Sequence, residues 1–161
     1  MKTIKLFNGK EVLVDEEDYR YLCKYTWSYQ KTKSGKEYAR REKEIKGKRT
    51  VFLMHREILS VKKGQEIDHI NGNGLDNRKN NLRLCIHQQN MMNRKLHKNN
   101  TSGYKGVWKV KRKDKEKWIA EIWVNTQKIN LGAFFDIRQA AEKYNEAANL
   151  YFGKFANLNI I

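Results

Sequence analysis

The chain of 161 residues contains no proline, only two cysteines and no long apolar run. Cys23 and Cys85 stand alone without any CxxC pair, which excludes a zinc ribbon of paired cysteines and indicates a reducing compartment. No apolar run approaches about 18 residues and the N-terminus has no signal pattern, so we expect a soluble, unexported, cytoplasmic protein with no membrane partner. Because proline is absent, glycine and asparagine must mark the turns.

Acidic residues are scarce relative to basic ones. The 18 Asp and Glu residues face 34 Lys and Arg residues, which gives a net charge of +16. The excess is spread along the chain, with +6 in residues 1–61, +5 in residues 62–100 and +5 in residues 101–161. A globular chain this basic predicts a polyanionic partner, and nucleic acid is the first candidate. Residues 31–49, with nine basic and three acidic residues, are either a phosphate-contacting hairpin or a solvated face.

Residues 68–95, DHINGNGLDNRKNNLRLCIHQQNMMNRK, organise the rest of the chain. An acid and a base, Asp68 and His69, precede a loop of Gly and Asn, residues that readily adopt positive φ. Leu82 and Leu84 alternate with other residues as in a short strand, and the following polar run has no turn-former and favours a helix. The stretch therefore predicts strand, loop, strand and helix.

This order resembles the ββα-metal site of HNH endonucleases, in the form found in phage and intron-encoded homing enzymes. The resemblance covers about thirty residues and rests on Asp68-His69, Gly72-Asn73, Asp76-Asn77-Arg78, Asn81-Leu82-Arg83 and Asn90. The name-giving triplet is His69, Asn81 and Asn90, and Asn93 is the rival for the third place. The alternative is a Gly/Asn hairpin with a chance Asp-His pair, but the number of matching positions favours the nuclease.

The resemblance implies hydrolysis of a DNA phosphodiester with Mg²⁺ or Mn²⁺ as cofactor. The Asp68 carboxylate and the Asn90 carbonyl are hard oxygen ligands that suit either cation. His69 titrates near neutrality and is expected to take a proton from the attacking water. Asn81 is expected either to orient His69 or to tie the loop through backbone bonds. Since adjacent strand residues point to opposite faces, Asp68 and His69 can serve one site only where the strand ends or kinks.

Residues 1–61 predict a small mixed module that supports this site. Apolar alternation around the turn Asn8-Gly9 predicts a hairpin, and Asp15 is expected to cap a helix that runs to about Lys24. Further alternating residues predict three more strands before a short helix that contains His55. His55 is expected to pack or hydrogen-bond rather than to catalyse. Residues 62–98 then form the nuclease motif, and residues 94–103 are the best linker candidate.

Residues 103–161 predict a second unit of three strands and one helix. The strands are expected at residues 106–111, 118–124 and 128–132, with Asp114 in the first turn. Asp136 and Gln139 predict a capping box, and an apolar stripe follows as far as Gly153. The pattern resembles the APETALA2 / ethylene-response-factor DNA-binding domain, through the segments G-V, K-W-x-A-E-I, L-G-x-F and A-A-x-x-Y-x-x-A-A.

In that family the sheet lies in the major groove of DNA and the helix backs it. The resemblance therefore implies DNA contacts from the strands, namely Trp108, Lys109, Lys111, Trp118, Glu121, Trp123, Lys128 and Asn130. Core packing is the alternative role for Trp118. Plant members have arginines where this chain has Trp108 and Trp123, so their target sequence does not transfer.

We therefore expect an α+β protein with a small mixed N-terminal module, a ββα-metal nuclease motif and a C-terminal three-stranded antiparallel sheet packed on one helix. The expected function is metal-dependent DNA cleavage of the homing type in a bacterial or phage-encoded protein, with the C-terminal domain choosing the site. One ββα unit acts on one strand, so we expect a monomer that nicks double-stranded DNA, or a dimer for double-strand cleavage. The alternatives are a DNA-binding regulator with an inactive nuclease motif and a basic RNA-binding protein.

Overall fold

The computed structural model of the chain describes residues 1–62, 64–97, 99–112 and 115–161, with the backbone alone of Arg112. The chain divides into two compact units, Met1–Asn90 and Met91–Ile161. Four small antiparallel sheets and four α-helices in the described residues confirm the α+β class. None of the helices described is both long enough and apolar enough to cross a bilayer. The finer division at residue 61 stays a prediction.

The first unit contains three of the sheets and most of the short helices. Its N-terminal elements are β1 (Lys2–Lys5), β2 (Glu11–Val14), α1 (Glu16–Leu22), β3 (Ser28–Lys31), β4 (Glu37–Ile45), β5 (Lys48–Leu53) and α2 (Met54–Ile58). The motif adds β6 (Glu66–His69), β7 (Leu82–Cys85) and α3 (His87–Met92). The predicted order of strand, loop, strand and helix is therefore confirmed.

One apolar core joins the N-terminal elements to the loop of the motif. Val12 and Val14 from β2, Leu22 from α1 and the large ring of Trp27 are almost completely buried in it. Leu75, from the loop between β6 and β7, belongs to the same cluster. Burial of a leucine side chain contributes about 1.5–3 kcal/mol, so this single residue is a substantial anchor for the loop.

Asp15 stands at the predicted N-cap position of α1, but its side chain does not cap the helix. Its Oδ2 instead accepts a hydrogen bond from the backbone N–H of Lys79, at 2.7 Å. The Lys79 ammonium also lies 2.6 Å from a carboxylate oxygen of Glu17. A contact with the loop of the motif has replaced the local cap, and the helix ends at Leu22 rather than near Lys24.

The second unit is the predicted three-stranded sheet packed on one helix. Its elements are β8 (Val107–Arg112), β9 (Lys115–Val124), β10 (Gln127–Phe134) and α4 (Ile137–Phe152), with β9 in the centre of the sheet. β9 begins three residues before the predicted start at Trp118, and the predicted turn residue Asp114 lies outside the described residues. Asp136 caps α4 as predicted, because its Oδ1 accepts from the Arg138 backbone N–H at 2.9 Å.

Small residues bring α4 close to the sheet. Ala140, Ala141, Ala147 and Ala148 are buried against the apolar face of the strands. Gly106, with a φ of 65°, lies where a Cβ would collide with the ring of Tyr144 and with the backbone carbonyl of the central strand. Glycine is therefore required where the chain enters β8 beneath the helix.

Candidate active site

The two strands of the motif place Asp68 and His69 at the end of β6. The antiparallel register sets Asp68 opposite Arg83 and His69 opposite Leu82. His69 is the last residue of β6, and Gly72 follows it with a φ of 65° in the next turn. The strand therefore ends at the position where the sequence required an end or a kink.

The loop between β6 and β7 is fixed by the N-terminal strands. The Leu13 N–H donates to the Leu75 carbonyl at 2.9 Å, and the Asn77 N–H donates to the Leu13 carbonyl at 2.8 Å. Gly74 packs so closely on the backbone carbonyl of Glu37 that a Cβ at this glycine would collide with it. The loop therefore takes its conformation from β2 and β4 and not from its own sequence alone.

Asn81 ties this loop together through backbone hydrogen bonds. Its Nδ2 donates to the Asp76 carbonyl at 2.7 Å, and its Oδ1 accepts from the Asn71 N–H at 3.0 Å. Asp76 is only 2% exposed, and its side chain accepts from Nε and Nη2 of Arg78 at 2.7 Å each. The hydrogen bonds of Arg78 hold the pKa of Asp76 below its usual range. Of the two roles predicted for Asn81, its hydrogen bonds correspond to tying the loop.

His69 is held by Asn77, a residue of the motif to which the sequence assigned no role of its own. Its Nε2 lies 2.9 Å from Oδ1 of Asn77, whose side chain is completely buried. Because an amide oxygen only accepts hydrogen bonds, Nε2 carries the proton and Nδ1 carries the lone pair. Burial lowers the pKa of His69, which favours the neutral imidazole. The signal for Asn77 was its place in the Asp76-Asn77-Arg78 match.

A small cluster of rings surrounds His69. The ring of His55 meets the ring of His69 edge-on, with a centroid distance of 5.0 Å. The ring of Tyr38 lies 5.3 Å from His55 and 6.1 Å from His69. Burial, and then the neighbouring His69, lower the pKa of His55 to about 3. His55 packs as predicted, but its position against His69 was not foreseen.

The buried His55 predicts acid sensitivity of the fold. Because its pKa lies below the unfolded value near 6.5, its contribution to stability is complete above pH 6.5 and declines as the pH falls toward 3. The slope approaches about 1.4 kcal/mol per pH unit, so we expect a loss of about 2 kcal/mol between pH 6.5 and pH 5. Urea denaturation at several pH values measures it. His55→Phe should flatten the dependence, and an unchanged slope would contradict the burial of a neutral imidazole.

Asp68 is neutralised by a buried ion pair. Asp68 is 5% exposed, and its Oδ2 accepts from Nε of Arg83 at 2.8 Å and from Nη2 at 2.5 Å. This arginine comes from the facing position on β7. Any cation that binds the Asp68 carboxylate must therefore share it with Arg83 or displace the guanidinium.

Asn90 is linked to the same strand as Asp68. Its Nδ2 donates to Oε2 of Glu66 at 2.7 Å, and strand alternation puts Glu66 and Asp68 on one face of β6. Asn93 lies beyond the end of α3, and its backbone carbonyl accepts from Nδ2 of Asn157 at 3.1 Å. The described residues contain no group of three or more His, Cys, Asp and Glu side chains that could hold a metal. A metal here would depend on one carboxylate and one amide oxygen, a donor set that fits Mg²⁺ or Mn²⁺.

The predicted DNA contacts in the second unit divide between the two faces of its sheet. Buried Ala120 and Ile122 face α4, so alternation and register place five of the predicted residues on the opposite face: Trp108, Glu121, Trp123, Lys128 and Asn130. The same alternation puts the other three on the helix side: Lys109, Lys111 and Trp118. Trp118 packs against the core cluster, which was its alternative role.

Comparison with known proteins supports the assignment of the motif. Residues 60–92 match the sequence pattern of the HNH endonuclease family. The chain is 35% identical over 97 residues to Protein 3.8 of Escherichia phage T7, an alignment that covers 60% of this chain and 77% of that protein. It is also 35% identical over 95 residues to the uncharacterized HNH endonuclease L560 of Acanthamoeba polyphaga mimivirus, covering 59% of this chain and 47% of that protein. No solved structure matches the chain. The chain therefore belongs to the same family as Protein 3.8, and residues 60–92 are its HNH endonuclease domain.

Proposed function

We propose that the chain is a metal-dependent DNA endonuclease that nicks one strand of a duplex, with the site chosen by the second unit. The observation that carries this proposal is the state of His69. Its Nε2 is held by the buried Asn77 at 2.9 Å, and its pKa is lowered by burial. A neutral imidazole with a fixed tautomer is the form that a general base requires.

The proposed chemistry is hydrolysis of a phosphodiester, in which the oxygen of a water forms a new P–O bond, one P–O bond to a deoxyribose oxygen breaks, and that leaving oxygen takes a proton from solvent. His69 accepts a proton at Nδ1 from the attacking water, and the resulting imidazolium keeps its Nε2–H bond to Asn77. The amide oxygen of Asn77 stabilises that charge, so the same contact orients the base and supports its protonated form. Asn81 keeps the loop that carries Asn77 in place through its bonds to Asp76 and Asn71.

Asp68 and Asn90 are the residues that would hold the cation. Both supply oxygen atoms, and Mg²⁺ commonly takes only one or two protein ligands while it keeps several waters. When bound, the cation supplies Lewis-acid stabilisation of the charge on the phosphate oxygens. Arg83, already bonded to Asp68 at 2.8 Å, holds the carboxylate in place before any cation arrives.

The proposed role of the second unit rests on the outer face of its sheet. Trp108 and Trp123 are 43% and 60% exposed there, and Lys128 pairs in register with Trp123. Large exposed aromatic rings beside lysine side chains suit contact with the bases and phosphates of DNA. A sheet that faces only water gains no stability from exposed aromatic rings. A single HNH site in each chain acts on one strand, so a monomer gives a nick.

Asp68→Asn tests the metal and the nuclease function together. Loss of groups that only support a metal ligand typically costs about 10–100-fold, so loss of the charged ligand itself should reduce nicking by more than about tenfold. Activity should partly return at high Mn²⁺, since Mn²⁺ binds such sites more tightly than Mg²⁺. Conversion of supercoiled plasmid to the open circle, with and without EDTA, is the measurement.

The choice of third motif residue is tested in the same assay. Asn90→Ala should be impaired, whereas Asn93→Ala should keep nicking the plasmid. The reverse outcome would move the metal site to Asn93. Wild-type nicking that continues in EDTA would contradict metal dependence altogether.

A DNA-binding regulator with an inactive nuclease motif is the rival function. The observation that favours it is the Asp68–Arg83 ion pair, because removing a buried carboxylate from such a pair is costly. A protein that binds duplex DNA but never converts plasmid to the open circle, in Mg²⁺ or in Mn²⁺, would support the rival.

A further inference from the structure

Glu66, to which the sequence analysis assigned no role, bridges β6 and α3. It is the first residue of β6, and its side chain is 34% exposed. Its Oε2 accepts from Nδ2 of Asn90 at 2.7 Å, and its Oε1 lies 2.8 Å from Nδ1 of His87. His87 and Asn90 are three residues apart on α3, so one carboxylate can meet both.

The bond to Glu66 determines which end of the Asn90 amide is available to a cation. An asparagine side chain has a donor end and an acceptor end, and only the oxygen can ligate a metal. A carboxylate can only accept, so it takes the Nδ2 end of Asn90. In the described parts of the chain no hydrogen bond reaches the Oδ1 atom of Asn90.

Strand geometry places this amide on the same side of β6 as Asp68. Residues two apart on a strand share a face and are separated by roughly 7 Å. Asn90 is bonded to Glu66, and Asp68 is two residues further along β6. The backbone carbonyl of Asn93 instead accepts from Nδ2 of Asn157.

We propose that Glu66 is a positioning residue that orients Asn90, so that its oxygen faces the cation beside Asp68. The proposal rests on the proposed metal-dependent function, which it deepens. It assigns to Glu66 no contact with the cation or the substrate. Glu66 affects cation binding only through the orientation of Asn90. A direct electrostatic attraction between the Glu66 carboxylate and the cation would not depend on Asn90.

A double-mutant cycle on Mn²⁺ affinity tests the proposal in the full-length protein. Titration calorimetry is run on wild type, Glu66→Ala, Asn90→Ala and the double variant, with thermal melting as the check of folding. Glu66→Ala should weaken Mn²⁺ binding by about 10-fold or more. The double variant should bind no more weakly than Asn90→Ala alone, because Glu66 has no effect once its amide partner is gone.

Two further variants complete the design. Glu66→Gln retains an acceptor oxygen for Nδ2 of Asn90 but removes the charge, so it should keep most of the affinity and serves if the alanine variant unfolds. His87→Ala removes the other partner of Glu66 and should leave Mn²⁺ affinity unchanged. Additive weakening in the cycle, or an affinity for Mn²⁺ in Glu66→Ala equal to that of wild type, would overturn the proposal. Failure of the wild type itself to bind Mn²⁺ would instead overturn the proposed metal-dependent function.

Discussion

His69→Ala is expected to reduce plasmid nicking by about 10²–10⁴-fold while DNA affinity stays nearly intact. The reason is the fixed tautomer, since Nε2 is bonded to Asn77 and Nδ1 carries the lone pair that takes a proton from water. The His69→Ala variant keeps all the Lys and Arg side chains that attract the DNA phosphates. Single-turnover nicking rates, alongside an electrophoretic binding assay, separate the two effects.

The controls for this variant come from two other side chains. His97→Ala removes an exposed histidine and should leave the nicking rate unchanged. Asn77→Ala should slow nicking by less than His69→Ala, because it frees the ring without removing it. Full nicking activity in His69→Ala would falsify the assignment of this residue as the base.

A fragment of residues 1–100 is expected to nick DNA at many places instead of at one preferred site. It keeps the unit Met1–Asn90 and the whole of α3, with 23 basic and 12 acidic residues, so its attraction to phosphates should persist. It loses the sheet whose outer face carries the exposed Trp108 and Trp123. Specific sites typically bind about 10³–10⁷ times more tightly than random ones, which sets the scale of the loss.

Mapping nicks on a long duplex at several salt concentrations measures this change. In the full-length chain, Trp123→Ala should lower the preference for the target site more than the affinity for random DNA. Tyr151→Ala removes an exposed aromatic ring from α4 instead of from the sheet and is the matched control, which should change neither quantity. If the fragment still selects the same single site, recognition belongs to residues 1–100 and the second unit serves only as an anchor.

Local patterns were sufficient to predict most of the elements. The apolar stripe of α4 and the alternation in β9 are properties of neighbouring residues, and both elements lie close to where those patterns place them. Asp136 caps its helix as predicted, through a local hydrogen bond that its Oδ1 accepts from the Arg138 N–H. Asp15 does not cap α1, because its carboxylate accepts a hydrogen bond from the backbone N–H of Lys79 instead.

The partners of the site residues were not predictable by the same means. Asparagine is a common residue in loops, and no pattern in the neighbouring sequence indicates that the amide of Asn77 contacts His69. Tyr38 and His55 reach His69 from β4 and α2, which the sequence places far from the motif. The buried position of Trp118 was predictable from the sequence, because Trp118 lies two residues before the buried Ala120 and therefore on the same face of β9.

The hydrogen bonds between β2 and the loop have a consequence for how the protein acquires its activity. The contact from Lys79 to Asp15 spans 64 positions of the chain, and the bonds from Leu13 to the loop span a similar separation. Pairings between such distant residues form slowly, because the intervening chain must first be closed into a loop. Leu13 fixes the backbone of Asn77, and Asn77 holds His69, so the base is in place only in a chain whose N-terminal strands have formed. Under the proposed function, assembly of these strands is a condition for DNA cleavage.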